Sequence, residues 1–157
     1  MTGNEYIQFV LARYPNADLD KVDSFFKLYD LKEAKHQLLE SYSFGMKKNV
    51  QIIAAVLSNA PYGLGDEFFN GLDFETTLMT VKLFQALLGH RSFVLISHNT
   101  TIINHFCDHI FLMSNGKLVP FTGDASQLEA EVLRTESVHD KITFIQRYAT
   151  FDDNVSK

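Results

Sequence analysis

The apolar pattern changes period near residue 58, and that change constrains the fold more than any other feature of the sequence. Before it, Ile7, Val10, Leu11 and Tyr14 recur at helical spacing over residues 4–14. Pro15-Asn16 ends that helix, and Asp18 or Asp20 is expected to cap a second one carrying Val22, Phe25, Phe26 and Tyr29. A short third helix is predicted over Leu31 to Leu39, and a fourth over Lys47 to Leu57 with Val50, Ile53 and Leu57 on one face.

After residue 58 short apolar runs alternate with helices. Tyr62 to Gly65 reads as a strand weakened by two glycines, Phe74 to Leu88 as a helix ended by Gly89, and SFVLIS (Ser92 to Ser97) as a buried strand. A helix over Thr101 to Phe106 follows. Then come strands His109 to Met113 and Lys117 to Phe121 around Asn115-Gly116, and helices over Ala125 to Arg134 and Val138 to Tyr148. Strand-helix-strand alternation predicts an α/β fold, a mostly parallel sheet with helices packed on it, preceded by an all-helical segment. The expected division is 1–58 helical, 59–150 α/β, and 151–157 a frayed tail.

Composition narrows the function classes. The chain has 157 residues, 46% of them hydrophobic, with 14 Phe and a net charge of -5. That acidity argues against nucleic acid as a partner, which calls for a basic face. The single Cys107 leaves no internal disulfide framework and fits a reducing compartment. The opening MTGNEYIQFV is not a secretory signal. No apolar run reaches the ~20 residues a membrane span needs, so direct membrane insertion is not expected, and the expected location is cytoplasmic.

Three stretches carry chemistry. Ser43-Phe44-Gly45 opens a helix, whose free N–H groups attract phosphate oxygens; taken alone, a capped helix after a turn is the plainer reading. Asp66-Glu67 follows a strand and so falls at the carboxyl edge of the sheet, where open α/β sheets bind ligands. One carboxylate there can hold a Mg²⁺-bound water and its neighbour can orient or deprotonate an attacking water; a solvated acidic turn is the plainer reading. His98 follows the SFVLIS strand to the same edge, where an imidazole can bond a terminal phosphate or the water, or simply be solvated. Cys107 to Val119 carries no chemistry of its own.

In order and spacing these stretches resemble the second half of an ABC transporter ATP-binding subunit, from about Thr2 to Tyr148. Tyr42-Ser43-Phe44-Gly45-Met46 stands where the family's LSGGQ signature falls, and Tyr62-Gly63-Leu64-Gly65-Asp66 where its Walker B strand falls. Glu67 stands at the catalytic glutamate, Asn70-Gly71-Leu72-Asp73 match the D-loop, and Ser97-His98 match the switch histidine. The resemblance implies a P-loop NTPase-type partial parallel sheet behind a helical signature subdomain, with ATP and Mg²⁺ as ligands of the complete assembly. It implies Glu67 as base, Asp66 on Mg²⁺ through water, and His98 on the γ-phosphate. Ser43, Phe44, Gly45 and Met46 would reach, in trans, a nucleotide held by a second ATPase subunit. A membrane subunit would be the other partner, and the chain peripheral to the membrane through it.

The departures are specific. No G-x-x-x-x-G-K-S/T occurs in the sequence, and the family's glutamine loop is missing too. The sequence thus reads as a truncated component, of exporter type, that lacks the P-loop half and is inactive alone. Phe44 replaces the first signature glycine, Met46 the glutamine, and Phe68 the proline after the glutamate. Two alternatives stand beside an ATPase component: a non-catalytic module docking on the membrane subunit, and a degraded remnant.

Overall fold

The structure, a computed structural model, describes residues 1–106, 109–114, 116–123, 125–134 and 136–151. Cys107, the turn residue Asn115 and the expected tail beyond Phe151 lie outside the described residues. The chain divides into two compact units, Met1–His98 and Asn99–Lys157.

Three helices open the first unit: α1 (Gly3–Leu11), α2 (Val22–Leu28) and α3 (Phe44–Leu57). Thr2 and Glu5 form a reciprocal capping box at the start of α1, so two otherwise orphaned donors are satisfied. The helix expected over Leu31 to Leu39 does not form. Asp30 turns left-handed (φ 54°), and turns with one short 3₁₀ segment (Leu39–Ser41) follow instead. The physical reason is tertiary. The carbonyls of Lys35 and Gln37 accept from Asn4 and Gly3 N–H, Thr2 pairs with Leu38, and Leu39 N–H bonds Met1 O. Backbone groups that a third helix would consume internally cap α1 instead.

The expected aspartate cap of α2 also fails. Asp18 makes no side-chain cap bond and pairs with Lys21 at 2.9 Å, while a 3₁₀ turn (Leu19–Lys21) leads into the helix. By contrast Ser43 Oγ accepts from Met46 N–H and starts α3 three residues before the expected Lys47. Ile7, Leu11, Phe26, Val50, Ile53 and Leu57 interlock as the helical core, each at most 1% exposed.

The second half of this unit is β1 (Tyr62–Asp66), α4 (Phe74–Leu87) and β2 (Ser92–Ile96). β1 and β2 are parallel, with Tyr62 opposite Ser92 and Asp66 opposite Ile96. Asp73 caps α4 through Thr76 N–H at 2.8 Å. Tyr29, at the end of α2, shares a buried 3.1 Å hydrogen bond with Thr80 of α4 and ties the helices to the strand layer. Burial pushes the Tyr29 phenol up from its ordinary pKa, with the Thr80 bond opposing in part.

The two glycines of β1 have a packing role. A side chain at Gly63 would run into the Phe93 ring, and one at Gly65 into Leu95 and Phe68. The space they leave is filled by aromatics from other elements: Phe84 lies 4.7 Å from Phe93 and 5.1 Å from Phe68, ring to ring, and Phe69 5.5 Å from Phe68. Such rings each contribute roughly 1.5–3 kcal/mol by burial.

The expectation that β2 is a buried strand needs correction. Its inward residues Phe93 and Leu95 are half-buried, but Val94 and Ile96 on the other face are 62% and 61% exposed. Tyr62 and Leu64 of β1 share that face at 75% and 84% exposure. Among the described residues of the first unit, helices cover one side of this two-stranded sheet only, so an apolar run that reads as buried is buried by halves.

The second unit holds α5 (Thr100–Phe106), the antiparallel pair β3 (Ile110–Ser114) and β4 (Lys117–Phe121), α6 (Leu128–Arg134) and α7 (Glu136–Phe151). Gly116 takes φ 73° in the hairpin turn, the role its place after Asn115 predicts. Ile102 and Leu128 are its buried anchors among the described residues. No helix among the described residues is long and apolar enough to cross a membrane.

Candidate active site

Parallel pairing in register sets the site. Because Asp66 stands opposite Ile96, the residues after each strand emerge side by side. Glu67 N–H donates to Ile96 O at 3.0 Å, which carries the ladder one step past β1. His98, two residues beyond β2, then comes within reach: its Nδ1 is 2.6 Å from Glu67 Oε1. A carboxylate only accepts, so the imidazole donates from Nδ1, leaving Nε2 free to face outward. His98 is well exposed, its side chain 78% accessible, and Glu67 half-buried at 32%. Glu67 Oε2 is buried and takes no hydrogen bond among the described residues. The carboxylate thus has one oxygen anchored on His98 and one buried and unsatisfied.

Glu67 itself is held in the left-handed region at φ 45°, uncommon for a residue with a Cβ. Its carbonyl accepts from Asn70 N–H at 3.1 Å and from Lys48 Nζ at 3.3 Å. A lysine pair at a helix start suggests a solvated face; Lys47 is exposed, but Lys48 is half-buried and turned toward the acidic turn. Helical spacing offers the signal in retrospect, since Gly45, Lys48 and Ile52 share one side of α3.

Asp66 ends β1 exposed. Mg²⁺ keeps several waters and phosphate oxygens around it and takes one or two carboxylates, so Asp66 fits an outer contact through water. Among the described residues no group of three or more His, Cys, Asp or Glu gathers as a metal cage.

The turn from Asn70 to Asp73 abuts the start of α3. Gly71 has φ 84°, and the ring of Phe44 occupies the space a side chain there would need. Gly45 approaches Gly71 O so closely that a Cβ would sit 3.1 Å from it. Asn70 is exposed and Leu72 half-buried, and Asp73 is engaged as the α4 cap. Its hydrogen bonds from Thr76, backbone first and hydroxyl second, hold the Asp73 carboxyl below the usual range. Ser43 is exposed with its Oγ on Met46 N–H, Phe44 is 66% exposed, and Met46 is half-buried. The predicted residues Ser43 to Met46, Glu67, Asn70 to Asp73 and His98 therefore fall along one connected edge of the first unit.

No family model matches the chain. It is similar to the methionine import ATP-binding protein MetN of Pasteurella multocida (strain Pm70), 28% identical over 166 residues, covering 94% of this chain and 48% of that protein. It is also similar to the uncharacterized ABC transporter ATP-binding protein YxlF of Bacillus subtilis (strain 168), 23% identical over 134 residues, 83% of this chain and 45% of that one. In fold it resembles a solved ATP-binding subunit of an ABC transporter with a TM-score of 0.71 and 19% identity, over 91% of this chain and 62% of that chain. The chain thus spans only part of the length of each protein it matches. These likenesses cover most of the chain, and over that length it is similar to ATP-binding subunits of ABC transporters.

Proposed function

We propose that this chain supplies the signature loop, the water-handling carboxylate and the switch histidine of an ABC-type ATPase, and that the phosphate cradle comes from polypeptide outside these 157 residues. The observation that carries the reading is the 2.6 Å contact between Glu67 and His98 at the carboxyl edge of two parallel strands. The sequence has no G-x-x-x-x-G-K-S/T, and one face of the sheet is apolar and bare, both as expected of a partial core.

The reaction is attack of water on the γ-phosphate of ATP. Glu67 takes the proton at its unsatisfied Oε2, and His98, held through Nδ1–H by Oε1, donates to the phosphate from Nε2 in its doubly protonated form, since a neutral ring with the proton on Nδ1 has only an acceptor there. Asp66 would hold Mg²⁺ through water, and the ion would neutralise charge on the phosphates. The start of α3, Ser43 to Met46, covers a nucleotide held by a second ATPase subunit. Residues 1–58 act as the signature subdomain and 59–150 as the α/β part. The partners are a second ATPase subunit or a P-loop half, and a membrane subunit that holds the chain peripherally on the cytoplasmic side. Exporter type rests on the varied signature alone, while a relative is named for import, so direction forms no part of the proposal.

A docking role without hydrolysis is the second reading, favoured by Phe9, Leu19 and Leu28 standing 52%, 57% and 44% exposed on the helical segment. Phe26 and Tyr29 belong to the core and not to such a surface. The Glu67→Gln form, in the complete assembly, separates the two. Retention of unhydrolysed ATP supports the ATPase reading. Hydrolysis at the unaltered rate removes Glu67 as base, and transport that needs no hydrolysis favours docking.

A further inference from the structure

We infer that Lys48 is a positioning residue for Glu67, so that the helix carrying the signature loop also aims the carboxylate; the inference rests on the function proposed above.

Three hydrogen bonds fix the Glu67 peptide groups. Its N–H is held by Ile96 O at 3.0 Å, and its carbonyl takes Asn70 N–H at 3.1 Å and the Lys48 ammonium at 3.3 Å. The first two are local to the strand edge and its turn. The third comes from another element, α3, and is charge-assisted. Glu67 sits at φ 45°, a conformation that persists in a residue with a Cβ only where its surroundings over-determine it. Lys48 reaches the carbonyl and forms no ion pair with the carboxylate among the described residues. It therefore leaves the carboxylate free for His98 and for water while holding the backbone that aims it. Without that bond Glu67 can relax toward right-handed backbone, its Cβ swings, and the 2.6 Å contact to His98 is lost.

The consequence is a short link between two ligand surfaces. Ser43 starts α3, and Lys48 lies five residues along the same rigid helix. Phe44 and Gly45 meanwhile press on Gly71, at the far end of the acidic turn. A displacement of the start of α3 by an anion reaches Glu67 both through Lys48 and through Gly71.

The test needs no nucleotide, so its failure leaves the ATPase reading standing, and that reading fails separately in the Glu67→Gln assembly. In the ¹⁵N-labelled full chain, long-range proton-nitrogen correlations read the imidazole tautomer of His98. Wild type is expected to hold its proton on Nδ1, toward Glu67. Lys48→Met is expected to move it to Nε2, the form an unpaired imidazole prefers, with the rest of the amide spectrum unchanged. Lys48→Arg, which keeps a cationic donor, is expected to restore Nδ1–H. If Lys48→Met loses the dispersed spectrum, Lys48→Gln serves in its place, since its amide is one bond too short for the carbonyl; the same loss of Nδ1–H is expected. Retention of Nδ1–H in the folded Met or Gln variant, or a wild-type proton already on Nε2, overturns the inference.

Discussion

Phe44 and Gly71 occupy one space: the ring of the first lies where any side chain on the second would begin, and Gly71 takes φ 84° to allow it. Two residues 27 positions apart, one at the start of α3 and one in the turn after β1, are thus packed as a single joint. Gly71→Ala meets both the ring and an unfavourable backbone region. It is expected to destabilise the fold by about 1–3 kcal/mol. Denaturant titration measures this, and Phe44→Ala in the same chain should recover part of the loss but not the backbone share.

Ser43 has a local role and a proposed distant one, and they can be separated. Asp caps a helix about as well as Ser. Ser43→Asp should therefore keep the stability of α3, where Ser43 Oγ now holds Met46 N–H. A carboxylate at that point opposes the phosphate of a partner's nucleotide. In the complete assembly, hydrolysis should fall by roughly 10²-fold or more, the scale of one lost electrostatic contact reversed in sign. Steady-state phosphate release measures it.

Leu64 and Val94 stand on the uncovered face of the two-stranded sheet at 84% and 62% exposure. An exposed apolar face beside unpaired strand edges invites association. Leu64→Lys with Val94→Lys should change the stability of the separate chain by no more than ~0.5 kcal/mol per site. It should also abolish concentration-dependent self-association in sedimentation velocity. A wild-type chain that melts sharply as a dilute monomer would show that this face needs no partner.

Acid should weaken the fold through three aspartates. Thr76 holds the Asp73 carboxyl down, Lys35 that of Asp23, and Lys21 with Asn59 that of Asp18. Each folded pKa is below its unfolded value, so the contribution is present above about pH 4 and fades as pH falls through the folded values. Urea midpoints should be flat from about pH 5 to 7 and drop below about pH 4, and Asp73→Asn should lose part of that drop. Tyr29 works at the other end: its raised pKa means that its contribution is present below the unfolded value near 10 and is lost as pH rises past the folded one.

Much of this was legible in the sequence because it depends on local rules. Ser43 and Asp73 each precede an apolar-periodic run, and both cap as such residues do. The order of strand, helix and strand placed Glu67 and His98 at the same edge, and registry brought them to 2.6 Å. The failures are non-local. Leu31 to Leu39 has helical spacing, but its carbonyls are drawn off to cap α1. SFVLIS reads the same whether one face or two are covered, and here Val94 and Ile96 are not. Gly63 and Gly65 look like weakness in a strand until Phe93 and Phe68 are seen against them. Lys48 was hidden by its neighbour Lys47, since a pair of lysines at a helix start suggests solvent.

The central claim is that these residues complete a phosphate site and do not create one. Isothermal titration of the 157-residue chain with Mg-ATP tests it most directly. The expected result is no heat of binding up to millimolar nucleotide. Saturable binding in the micromolar range would contradict it, because the chain would then hold a phosphate cradle of its own.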